Sequence, residues 1–422
     1  MAAYFTRSST SGPGIIPPSP FNPSSISTNL VPVQDNQYSL GNPGSRWTTA
    51  YLTYPPTYKD QSAWYSTNYD TDFIKWIQSS IVSGFWSSSA LPVYSNISTT
   101  STNLSFFGGI SLPNGRVLMA PNNYPYVGLF NPAKDEYSDM TTPGVSIPPN
   151  AFNGGVLAPS GKIVFIPLYS GNICVYTNET TSMSNTFKHN VKTPAFCGGV
   201  LDAQGNVVMI PFQSGNICTY NAQANTFSNA AFTGADGTFS GGVLYQIGGS
   251  TNVVCVPQTN SNICVFSTQT RTVSNLISSQ GNQFSGGVLT SNNVGGYNIV
   301  LIPSSGNVCV LTIGPTGATL SNIVTNVPGP RAFCGGCLLP TGNVVMAPFN
   351  SSNVGMVDPI KMTYSNSTPV PSNLQFAGAT LMKDGRVCFI PGGGTGSNVG
   401  ILTTITPPQN TEFWLSPYFN KF

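Results

Sequence analysis

The sequence predicts an all-β protein: a seven-bladed β-propeller with an N-terminal extension that contains one short helix. Three observations carry that expectation. A Phe-x-Gly unit recurs at Phe106, Phe152, Phe196, Phe239, Phe284, Phe333 and Phe376, a period of about 45 residues. Each copy holds four short Val- and Ile-rich runs bounded by Gly, Pro, Asn or Ser, which read as strands. No run is long enough, or periodic at 3.6 residues, to be a helix. Four strands at this period match a propeller blade, and seven copies match a closed ring. The competing architecture, a parallel β-solenoid, uses shorter coils.

Within a copy the first segment is Phe-x-Gly-Gly-Val-Leu, as in Phe152 to Leu157. Gly here suits the crowded strand nearest the channel. The second is an apolar run closing in Pro, as in Ile163 to Pro167, where the missing N–H ends pairing. The third carries Asn-Ile/Val-Cys-Val, and the fourth tends to end in Ser-Asn, as at Ser184 and Asn185. Blade seven lacks a fourth strand of its own. Residues 403–414 or the segment before Phe106 must supply it; the second is favoured, with Trp414 to Phe422 packed outside the ring.

Composition bounds the function. Charged residues are 7% of the chain, against roughly 25% in an average soluble domain, and the net charge is +2 with no basic block. Nucleic acid is therefore not an expected partner, since phosphate neutralisation needs clustered Lys and Arg. No apolar run approaches a membrane span, and Met1 to Thr10 lack the apolar core of a signal peptide.

The nine cysteines invite a metal or disulfide reading. Cys174, Cys218, Cys264 and Cys309 share one place in the third strand, and Cys197 and Cys334 share one in the first. Equivalent positions in different blades point the same way, which is wrong for pairing. They read as small buried residues of a protein folded in a reducing compartment. The Cys334-x-x-Cys337 pair has no second pair nearby, and neither metal nor cofactor is expected.

Taken in order, residues 1–35 form a Pro- and Ser-rich extended arm. A Trp-rich region follows over 36–100, the propeller over 101–403 and a closing segment over 404–422. The expected helix is capped by Asp70 to Asp72 and places Phe73, Trp76, Ile77 and Ile81 on one face. That face packs on the propeller or docks a partner. All five tryptophans, Trp47, Trp64, Trp76, Trp86 and Trp414, lie outside the repeats. Large aromatics concentrate in anchors and interfaces, so Trp47, Trp64, Trp76 and Trp86 are the candidate partner-binding residues.

Catalytic signals are sparse. His189, the sole histidine, is expected in a solvated loop. Asp202 and Asp384 occupy turns. Asp135, Glu136 and Asp139 cluster on blade one, where a solvated turn is favoured over a weak cation site. No nucleophile elbow, P-loop or zinc signature occurs. Asn172, Asn216, Asn262, Asn307, Asn353 and Asn398 recur in register at the third strand. Such a ring of amides could hydrogen-bond sugars, as in lectins; turn chemistry, with the side chain bonding its own backbone, is the expected use.

Two segments carry a resemblance. Leu40, Gly41, Arg46, Trp47 and Tyr51 fit the Leu-Gly-x-x-x-x-Arg-Trp-x-x-x-Tyr element of appendage and fibre proteins of bacteriophages and large DNA viruses, which this segment resembles over about fifteen residues. The end, Leu415 to Phe422, resembles the closing segment of repeat proteins in large algal and protist viruses. The resemblance implies a virion structural or appendage protein made in the host cytoplasm. Virion or capsid proteins are then the expected partners, with host-surface glycan as a further one. The architecture alone is similar to that of streptogramin-cleaving lyases, but one histidine gives an enzymatic reading little support.

Overall fold

A computed structural model describes residues 92–404, except 100, 102, 144, 178–179, 181, 233–237, 292–295, 325–326, 328 and 395–397. Seven four-stranded antiparallel sheets form the blades of a β-propeller. Blades 1 to 6 span residues 106–140, 152–188, 196–231, 239–278, 283–324 and 333–369, each a meander in chain order. The first strands of successive blades neighbour one another around the inner ring, blade 7 against blade 1 included. No helix occurs among the described residues, and the helix expected near 70–81 lies outside them. Among those residues no helix is long and apolar enough to cross a membrane.

Blade 7 has three strands from residues 374–403, and its outer strand is Val93–Ser98, paired antiparallel with Asn398–Thr403. The segment before Phe106 closes the ring, and the propeller boundary expected at 101 moves back to 93. Tyr94 packs on Phe376 and Phe389, each with a centroid distance of 6.3 Å. An arginine adds a second closure: Arg386, on a turn of blade 7, donates to Asp384 at 2.7 Å, and in blade 1 to Asp135 at 2.8 Å and the Pro132 carbonyl at 2.7 Å.

The repeated Phe is the core of each blade. All seven are fully buried, each worth about 1.5–3 kcal/mol of transfer free energy. Each also lies opposite the Pro of the second strand, as Phe152 does Pro167 and Phe333 does Pro348. The Pro does not always stop the strand; Tyr297–Ser305 and Val387–Gly394 continue past it.

The paired glycines do two different jobs. The register slips between Phe196 and Gly199, and the first Gly of the pair takes a positive φ, 72° at Gly198. This is a bulge position that a Cβ would strain. The second Gly makes room for the preceding blade, since a Cβ on Gly199 would lie 2.7 Å from Ile166 Cδ1. Close approach therefore explains the second glycine only.

Candidate functional site

An up-and-down meander sends alternate connections to opposite ends of every blade. One face carries the turns from strand one to two and three to four. The other, the loop face, carries the loops from strand two to three and the straps between blades.

The repeated asparagines start the third strand at the loop face, or in blade 5 immediately precede it, two strands out from the inner ring. Ser170 Oγ donates to the Asn172 carbonyl at 2.8 Å and accepts the Asn172 N–H at 3.2 Å. Ser214 with Asn216, and Ser351 with Asn353, repeat this clasp. In blade 4 Asn260 Oδ1 accepts the Asn262 N–H, and in blade 5 Asn282 Oδ1 accepts that of Asn307. The Asn216 amide reaches only the Ser214 carbonyl, at 3.2 Å. Asn398 opens the third strand of blade 7, opposite Ser98. These contacts set the loops, and the six side chains sit one to a blade rather than converging. Trp47, Trp64, Trp76 and Trp86 lie outside the described residues.

His189 is not in a solvated loop: it is 4% exposed. Its Nε2 lies 2.8 Å from the Ser170 carbonyl, and its Nδ1 accepts the Val191 N–H at 3.2 Å. A carbonyl only accepts and an amide N–H only donates, so the proton sits on Nε2 and both ring nitrogens are used. The ring meets Phe196 edge-on, with centroids 5.7 Å apart. Burial pulls its pKa below the ordinary histidine value, with the bond to Ser170 opposing. Its loop was legible; its packing against Phe196 and its bond to Ser170 were not.

The acid cluster of blade one is divided. Asp139 accepts hydroxyls from Ser101 at 2.6 Å, Tyr124 at 2.8 Å and Tyr137 at 2.6 Å, while Asp135 pairs with Arg386. Burial, then the bond to Asp139, raises the Tyr137 phenol. Asp202 accepts the N–H groups of Gln204 and Asn206 on the turn face. Among the described residues no group of three His, Cys, Asp or Glu is placed to hold a metal ion.

The variable residue of Phe-x-Gly faces the inner ring in every blade, half-buried at Phe107 and Ser285. Asn153 (6% exposed), Cys197 (3%) and Cys334 (5%) stand there with Ser240, Ser285 and Ala377. Each polar one reaches the next blade: Asn153 Nδ2 donates to Cys197 Sγ at 3.0 Å, Ser240 Oγ to the Phe284 carbonyl at 2.6 Å, and Ser285 Oγ to that of Phe333 at 2.9 Å. Burial, and then the Cys334 thiol, raises the thiol of Cys197, although the two belong to blades 3 and 6. All nine cysteines are free and buried.

What the loop face leaves open is aromatic and amide. Tyr169 is 51% exposed, Phe212 and Phe349 are half-buried, and Tyr126 lies edge-on to Tyr124 at 5.6 Å. Arg331 rests over the Phe349 ring, 4.8 Å from its centroid. Sequence reasoning passed over these residues. For Tyr169, Phe212 and Phe349 the signal was the position one or two places after the repeated Pro.

The fold has solved counterparts. A streptogramin B lyase superposes with a TM-score of 0.60 at 14% identity, covering 75% of this chain and 98% of that one. A catalytically inactive virginiamycin B lyase from Staphylococcus aureus with quinupristin gives 0.59 at 13%, over 74% and 99%. The extracellular domain of a one component system from B. thetaiotaomicron gives 0.54 at 9%, over 73% and 39%. At such identity the likeness is one of fold. No known protein family matches the chain, and no curated protein matches it. The lyases and the sensor domain share a scaffold, and the side chains mounted on it decide what each does.

Proposed function

We propose that this chain is a non-enzymatic binding propeller of a virus particle or its appendage, serving assembly or attachment to the host surface. One observation carries the reading: among the described residues, the sole histidine, the Asp139 carboxylate and the cysteines are committed to internal contacts. His189 uses both nitrogens on backbone, Asp139 is enclosed by three hydroxyls, and the buried thiols stay protonated. The open loop face is furnished for contact instead, with aromatic rings among amides. The fibre-like segment at Leu40 to Tyr51 supplies the viral context.

The test is binding of the labelled full chain. Saturable binding to host cells, or to particles stripped of the chain, is expected. Binding to neither, together with turnover of an added substrate that needs an inner-ring side chain, would contradict the proposal.

A further inference from the structure

Charge is divided between the two faces. Most described charged side chains, among them Arg116, Asp202, Arg271, Lys361 and Arg386, sit on the turn face. On the loop face they are Asp139, Lys188, Lys192 and Arg331. The only acid of these four is Asp139, already bonded to three hydroxyls. The described loop face thus presents rings, amides and a few cations without an exposed carboxylate.

Between blades 2 and 3 these groups are brought together by backbone. The Ala195 N–H donates to the Leu168 carbonyl at 2.7 Å, the Phe212 N–H to the Ala195 carbonyl at 2.9 Å, and the Gln213 N–H to the Pro194 carbonyl at 3.1 Å. The strap 189–195 is therefore laced to both loops, and His189 pins its start to Ser170. Tyr169 stands on one side of the strap and Phe212 with Gln213 on the other, while the strap itself exposes Asn190 and Lys192.

Resting on the binding reading above, we propose that this strap and its two loops form a carbohydrate-binding site. Sugar rings present apolar C–H faces beside hydroxyls. An aromatic plane takes the first, and amide and ammonium groups take the second. Tyr169 is the platform, with Phe212 across the strap; Gln213 and Asn190 bond the hydroxyls. Lys192 favours a sugar carrying an acidic group over one carrying an amine. A rigid strap costs little ordering entropy on binding.

The experiment is an array of mannose-, galactose-, N-acetylglucosamine- and sialic-acid-terminated oligosaccharides probed with the full chain, followed by titration of the best-retained one. Tyr169→Ala and Gln213→Ala should each weaken binding by about tenfold or more. Tyr169→Trp should keep it within about twofold, and Lys361→Ala on the turn face should leave it unchanged. Circular dichroism confirms that each variant is folded. No oligosaccharide retained, or binding that survives Tyr169→Ala, overturns the proposal. In that case, continued binding of the same chain to stripped particles would leave the broader reading standing, and loss of both would remove it.

Discussion

The Cys174 thiol donates to Asn185 Oδ1 across the third and fourth strands of blade 2, at 2.8 Å. The pair recurs as Cys264 with Asn275 at 3.3 Å and Cys309 with Asn322 at 3.0 Å, and Cys218 lies opposite Asn229 in the same register. Two repeat features that read separately in sequence, the third-strand Cys and the fourth-strand Ser-Asn, are thus one cross-strand contact. Burial pushes the Cys174 thiol up to about 12, so at neutral pH it is protonated and inert. The folded protein should leave its cysteines unreacted with a thiol reagent at pH 8, and all nine should react in guanidinium. Rapid labelling of Cys174 in the native state would contradict the buried pair.

Replacing Asn185 with Ala should cost little, about 0.5–1.5 kcal/mol, since one bond from a weak donor is lost. Denaturant unfolding checks this, with Cys174→Ala expected to cancel most of the difference in a double variant.

The two glycines of one repeat should differ in kind. Gly198→Ala puts a Cβ on a residue at φ 72°, a backbone penalty of about 1 kcal/mol or more. Gly199→Ala drives a Cβ toward Ile166 and should cost about 1–3 kcal/mol. Ile166→Val in the same chain should relieve the second and leave the first unchanged; equal relief of both would show the assignment is wrong. Blade 7 already carries Ala379 at the second position.

How much of this was legible follows from periodicity. Phe106 to Phe376 announced seven blades because each Phe fills the same buried place, and a repeat multiplies a weak local signal. Closure was legible only in part: blade 7 lacked a fourth strand, and sequence left residues 403–414 and the segment before Phe106 as candidates, of which the second, at Val93–Ser98, closes the ring. His189 misled, because a lone polar residue in a loop reads as solvated, while its contacts with Ser170 and Phe196 come from the tertiary fold. Tyr169 and Phe212 were missed because the loops vary where the strands repeat, and a single position per blade has no period of its own.

Ring closure gives a fourth prediction. Tyr94→Ala removes the ring packed on Phe376 and Phe389. It should lower stability by about 2–4 kcal/mol, more than an exposed-strand substitution such as Ser95→Ala. Equal, small losses in both variants would mean the outer strand is not needed for closure.

His189 gives a pH dependence with a definite sign. Its folded pKa is depressed below 6.5 by burial, so the unfolded chain binds the proton more readily. Its contribution is constant above about pH 6.5 and is lost as pH falls from there to the lowered folded value. Thermal unfolding between pH 8 and 5 should therefore show a decline in Tm that His189→Gln flattens. A wild-type decline unchanged in the variant would assign it to the carboxylates instead.

The proposed role in a virus particle is tested most directly by quantitative mass spectrometry of purified source particles, before and after protease shaving. The chain should be present at a copy number comparable to known structural components, and shaving should remove peptides of an exposed loop face such as that around Tyr169. Absence of the chain from purified particles would contradict the account.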